Sequence, residues 1–180
     1  VPAKPTALPD LKIRKRITAA ALAKEIPLPE STWVNTATLA PDGRSLLLGS
    51  SAAIVVVDLE AGTHRRVEVK AAQYDSVSKV RFTPDGKRIV ATCWNGFVAV
   101  LAWPSLKQIA AYSIAKDRLH ACAVMPDGES AWVGGHDCKR TRVELETGDV
   151  LATQTGEWGW ISDAAVTPDG STLVTSDAAT

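Results

Sequence analysis

Apolar and polar residues alternate along much of this chain with the period of two that a strand with one buried face requires. One tripeptide, Pro-Asp-Gly, punctuates the alternation at 41–43, 84–86, 126–128 and 168–170, with successive copies 43, 42 and 42 residues apart. Counting from each turn glycine, position −4 is Leu39, Phe82, Val124 and Val166, and position −6 is Ala37, Val80, Cys122 and Ala164. Position −9 is Val34, Val77, Leu119 and Ile161, and position +4 is Leu47, Val90, Trp132 and Val174. All of these are apolar. Position −8, by contrast, is always polar: Asn35, Ser78, His120 and Ser162. In the tripeptide, Pro presets φ, the Asp carboxylate bonds nearby backbone N–H groups and Gly accepts a positive φ, which together make a tight turn. Each copy is therefore predicted to close a two-stranded hairpin with an inward apolar face.

A third strand is predicted over Ile54–Val57, Phe97–Leu101 and Thr141–Leu145, and a fourth over Arg66–Val69, Gln108–Ile114 and Val150–Thr153. Turn-like stretches at 60–62, 103–105 and 146–148 separate them. No 3.6-residue periodicity predicts a long helix. Four strands per unit of about 42 residues is the signature of a β-propeller blade. The predicted fold is all-β, with four-stranded antiparallel blades at 33–75, 76–118 and 119–159 and an incomplete one at 160–180. Residues 1–32 are expected to form an N-terminal segment, with Leu11–Ile17 and Ala21–Pro27 as outer strands of a preceding blade. A ring of six to eight such blades needs roughly 250–340 residues. The chain is thus expected to be part of a larger propeller whose remaining blades lie on the same longer polypeptide or on another copy.

Residues 33–180 resemble WD repeats, in segments such as Trp33-Val34-Asn35-Thr36-Ala37-Thr38-Leu39-Ala40-Pro41-Asp42-Gly43. Asp137 and Asp177, with Asn95 as a near match, stand where that family places an Asp between the second and third strands. No Gly-His precedes a first strand, and Val57, Val100 and Val143 stand where the family places Trp. Surface-layer-type propeller repeats, which share such turns, are the near alternative. The WD resemblance implies a non-catalytic scaffold that presents one end of the propeller to a protein or peptide.

Composition narrows the partner. The 180 residues carry 20 Lys plus Arg and 20 Asp plus Glu, so the formal net charge is zero. Binding to nucleic acid draws on a basic excess that displaces counterions from phosphates, so no nucleic-acid partner is expected. No apolar run approaches the roughly 20 residues of a membrane span. Three cysteines, Cys93, Cys122 and Cys138, do not make a disulfide framework, and a cytoplasmic location is expected.

Two His-x-Cys pairs, His120/Cys122 and His136/Cys138, flank the third hairpin, whose antiparallel pairing brings the two histidines together. Cys122 falls in the inward −6 column, which leaves His120, His136 and Cys138 one ligand short of a closed zinc site. No metal or other cofactor is expected, and no catalytic motif is present. Of the six tryptophans, Trp33, Trp94, Trp158 and Trp160 map to one end of the blades. Tryptophan dominates binding hot spots because it buries a large area at small entropic cost. The predicted binding face is Trp33, Asn35, Trp94, Asn95, His120, His136 and Trp160. The alternative is a ligand- or metal-binding propeller, the substrate-facing part of an enzyme completed by other blades.

Overall fold

The computed structural model describes residues 26, 28, 32–73, 75–156 and 159–178. The outer strands expected within 1–32, and Trp158, lie outside the described residues. Among the described residues, fourteen strands form three four-stranded antiparallel sheets and one two-stranded sheet. The first sheet holds β1 (Thr36–Leu39), β2 (Ser45–Ser50), β3 (Ala53–Asp58) and β4 (Thr63–Glu68). The second holds β5 (Val77–Phe82), β6 (Arg88–Cys93), β7 (Phe97–Ala102) and β8 (Gln108–Ser113). The third holds β9 (Leu119–Val124), β10 (Ser130–Gly135), β11 (Lys139–Glu144) and β12 (Val150–Thr155), and the fourth β13 (Trp160–Val166) and β14 (Leu173–Ala178). The helix found among the described residues is a single 3₁₀ turn, Lys70–Ala72. No helix there is long and apolar enough to cross a membrane.

Each Pro-Asp-Gly turn works as its residues dictate. The glycine N–H donates to the carbonyl three residues back, at 3.0, 2.8, 2.9 and 2.8 Å in chain order. The Asp carboxylate accepts from the backbone two residues on: Asp42 from Arg44, Asp85 from Lys87, Asp127 from Glu129 and Asp169 from Ser171. The four glycines have φ of 67, 68, 72 and 72°, the left-handed region where only glycine is unstrained. These bonds hold the carboxyl of Asp42 below its ordinary range through the Arg44 and Ser45 N–H groups. The Thr83 hydroxyl, followed by the Lys87 N–H, does the same for Asp85.

The four described sheets stack face to face in chain order and among themselves do not close into a ring. The first strands β5 and β9, and β9 and β13, adjoin across neighbouring sheets, while β4 and β12 are largely exposed. Successive sheets therefore fan out from their first strands, as propeller blades do. Strand alternation sends one face of each sheet to the sheet before and the other to the sheet after. Leu47, Ile54 and Val56 of the first sheet meet Val80, Ile89, Ala91 and Leu101 of the second in one buried cluster. Val90, Val98 and Val100 meet Leu119, Cys122, Val133 and Val143 in the next. Phe82 packs edge-on against Trp103 with ring centroids 5.4 Å apart. Thus the −4 and −6 positions point back and +4 points forward. Leu39, expected inward, is 54% exposed. Its face of the first sheet has no further sheet against it among the described residues; there Ile26 and Leu28 pack on Leu48, Val55 and Val57. Val174, at 59% exposure, is the counterpart on the far face of the fourth sheet.

Candidate functional site

The uniformly polar −8 column acquires a structural meaning from the strand register. Pairing of β5 with β6 skips Ser78, pairing of β9 with β10 skips His120, and pairing of β13 with β14 skips Ser162. Each is the extra residue of a β-bulge, a device that bends the strand and re-aims one side chain. In the first sheet the corresponding Asn35 sits just before β1, its N–H donating to Gly49 O at 2.9 Å. The residue opposite each bulge is Thr92, Gly134 or Ser176, and Gly49 takes the same place in the first sheet. A small hydroxyl faces a hydroxyl, and a large side chain faces a glycine. Ser78 Oγ donates to Thr92 O at 2.9 Å and lies 2.9 Å from Thr92 Oγ1. Ser162 Oγ donates to Ser176 O at 3.0 Å and lies 2.8 Å from Ser176 Oγ. Asn35 Nδ2 reaches across to the next sheet and donates to Val77 O at 3.0 Å.

His120 departs from this pattern. Its Nε2 is shielded from solvent and has no hydrogen-bond partner among the described residues. Its ring stacks on His136 with centroids 4.8 Å apart at 29°, and lies 4.9 Å from the Trp160 ring and 6.1 Å from that of Trp94. Trp160 and His136 are 5.2 Å apart. Four predicted face residues from three consecutive sheets thus meet in one aromatic cluster at the blade end. Trp94 Nε1 is likewise shielded and unpartnered. The guanidinium of Arg118, in the exposed approach to β9, sits 5.0 Å over the Trp94 ring, within cation–π range. Burial, then the positive fields of His136, Arg118 and Lys79, push the His120 imidazole down from 6.5 to about 4. His136 Nδ1 lies 3.8 Å from Asp117 Oδ1.

The cluster needs its glycines. A Cβ on Gly135 would stand 1.8 Å from Arg118 O, and one on Gly134 would stand 2.9 Å from Lys139 O. Only backbone without side chains lets β10 pass beneath the bulge. The other predicted face residues lie elsewhere. Trp33 is 70% exposed and stands apart from the cluster. Asn95 folds inward, its Nδ2 donating to Ala71 O at 2.7 Å and its Oδ1 accepting from Phe97 N at 3.3 Å. Cys138 turns its thiol to His136 O at 3.7 Å, and Cys122 is fully buried, which pushes its thiol up to about 12. Among the described residues no group of three or more His, Cys, Asp or Glu side chains is gathered to hold a metal.

Sequence reasoning missed the charged residues beneath this end. Lys79 and Arg81 of β5 reach past the alanines of β9 to Asp163 of β13, with N–O distances of 3.2 and 3.4 Å. The signal was present at position −7, where Lys79, Ala121 and Asp163 succeed one another. Arg140 similarly ties the third sheet to the fourth, donating to Thr175 Oγ1 at 2.8 Å and to Asp177 Oδ2 at 3.0 Å. Asp177 is one of the two residues placed by resemblance at the WD-family aspartate; the other, Asp137, accepts from Lys139 N at 3.2 Å.

Comparison with known proteins adds to the repeat geometry. Residues 67–100 match the family model described as WD domain, G-beta repeat. The matched segment runs from β4 through β7, so the repeat in sequence is offset by one strand from the sheet in space. The chain is WD-repeat-like. It is 30% identical over 104 residues to the serine-threonine kinase receptor-associated protein of Gallus gallus, covering 57% of this chain and 29% of that one. It is 25% identical over 111 residues to Protein groucho of Drosophila melanogaster, covering 61% of this chain and 15% of that one. The chain therefore matches less than a third of the length of either WD-repeat-like relative.

Proposed function

We propose that this WD-repeat-like chain is a non-catalytic interaction scaffold that offers the blade end around Trp94, His120, His136 and Trp160 to a protein or peptide partner. The observation that carries this reading is the aromatic cluster itself. Its members come from three sheets and are not among the residues of the buried clusters between the sheets. They combine large apolar area with unspent hydrogen-bonding capacity, the mixture expected of a contact surface. A receptor-associated protein among the relatives fits the same role. Trp33, Asn35 and Asn95 complete the proposed face: Trp33 as an exposed rim residue, and the two asparagines as the groups that fix the loops around it.

A photo-crosslinking residue at position 136 identifies the partner. Trp94→Ala and Trp160→Ala are then measured for affinity to that purified partner and for melting temperature. Lost affinity with retained melting supports the face. Lost melting with retained affinity assigns both tryptophans to structure and rejects it.

A further inference from the structure

The four −8 positions, three of them bulges, provide an internal comparison. In three sheets the polar side chain at this position is satisfied within the protein: Asn35 by Val77 O, Ser78 by Thr92 and Ser162 by Ser176. In the third sheet it is His120, whose Nε2 has no partner. A neighbouring donor, Trp94 Nε1–H, is also unpartnered. The third sheet thus differs from the other three in leaving a shielded polar nitrogen without a protein partner among the described residues. Shielded polar groups without partners are rare in folded proteins because each carries a desolvation penalty. A bound group that supplies the missing acceptor recovers that penalty.

The surrounding charges select the chemistry. The Arg118 guanidinium lies against Trp94, and no ion pair engages it among the described residues. Lys79 is the second cation whose field reaches His120, and its ammonium already contacts Asp163. Asp117, the nearby carboxylate, faces His136. A cationic ligand would meet Arg118 and Lys79. A neutral one would leave the guanidinium unused.

We propose that this end of the third sheet binds a carboxylate side chain of an acidic partner segment, paired with Arg118 and accepting from Trp94 Nε1–H and His120 Nε2–H. This rests on the interaction-face reading above and specifies its partner. Arg118 is the exposed handle. Engagement of the two shielded nitrogens requires the Trp94 and His120 rings to turn toward the incoming oxygens. A planar guanidinium matches a carboxylate with two parallel hydrogen bonds, which lysine cannot reproduce.

The test uses the full chain with three synthetic decapeptides of alternating glycine and glutamate, glutamine or lysine. Binding is followed by the ¹⁵N indole resonances, with Trp94 assigned through Trp94→Phe. The glutamate peptide is expected to shift the Trp94 indole signal, with the other two at least about tenfold weaker. Arg118→Gln should weaken the glutamate peptide about tenfold at unchanged melting temperature, and Arg118→Lys should restore only part of it. Equal binding of the glutamine or lysine peptide overturns the proposal, as does an Arg118→Gln variant that binds normally or a glutamate peptide that leaves the Trp94 signal unmoved. If a purified partner binds through Trp94 and Trp160 yet is indifferent to Arg118, the interaction face stands and the carboxylate assignment fails. If the partner ignores the tryptophans, the face itself fails.

Discussion

Acidification should destabilise the protein through His120 before it reaches the carboxylates. Folding encloses this imidazole among Trp94, His136 and Trp160, with Arg118 and Lys79 adding positive field and Asp117 opposing it. The folded state therefore takes up the proton near 4, against 6.5 for the free group. Below pH ~6.5 the unfolded chain binds more protons than the folded one, so stability is complete above that value and drains away as pH falls toward ~4. Taken in full, the displacement is worth ~3 kcal/mol. The ring is only partly enclosed, and solvent screening brings the expectation to ~1–2 kcal/mol. Urea denaturation at about pH 7.5, 5.5 and 4.5 measures it, with His120→Gln as the non-titrating control. Wild type should lose ~1–2 kcal/mol more than the variant over this span. Asp42 and Asp85 are held below 3.8 and Asp169 is held at about 2, so their losses begin at lower pH and cancel in the comparison. Parallel pH profiles for the two proteins would show that the His120 ring is solvated in the folded state and would refute the enclosure argument.

Leu101, fully buried between the first and second sheets, should cost ~2–5 kcal/mol when replaced by Ala, read as a lower urea midpoint at constant m-value. Gly135→Ala forces a Cβ against Arg118 O; it should cost ~1–3 kcal/mol or more and disperse the His120–His136 stack, visible in the imidazole proton shifts. Asp177→Asn removes the counter-charge of Arg140, whose side chain is only 20% exposed; a loss of ~1–3 kcal/mol is expected, with unfolding of the fourth sheet ahead of the rest detectable by hydrogen exchange.

The repeat was legible because it is written locally. Proline, aspartate and glycine each act within a few residues, so the four turns could be placed from sequence, and period-two alternation named the inward columns at −4 and −6. The third strands followed from apolar runs such as Phe97–Leu101. Outer strands were harder: β4 begins at Thr63 rather than Arg66 and carries His64 on an exposed strand, because outer strands bury too little to leave a pattern. The sequence also brought His120 and His136 together, since a hairpin turn fixes its own register.

What the sequence could not decide is everything that depends on neighbouring sheets. Ala37 and Val80 occupy the same column, yet one is exposed and the other buried, because burial requires a sheet on that side. Asn35, Ser78, His120 and Ser162 form one polar column, yet only tertiary packing distinguishes three satisfied side chains from one left unpartnered. Asn95 carries face-like chemistry and spends it on Ala71 O, a contact 24 residues away. Arg118 and Trp94 belong to different sheets, and their stacking depends on how the second and third sheets fan from their first strands. Hydrogen bonding and periodicity along one strand are short-range and survive in the sequence. The placement of one sheet against the next is set by side-chain volumes on two faces at once, and that information exists only in the folded molecule.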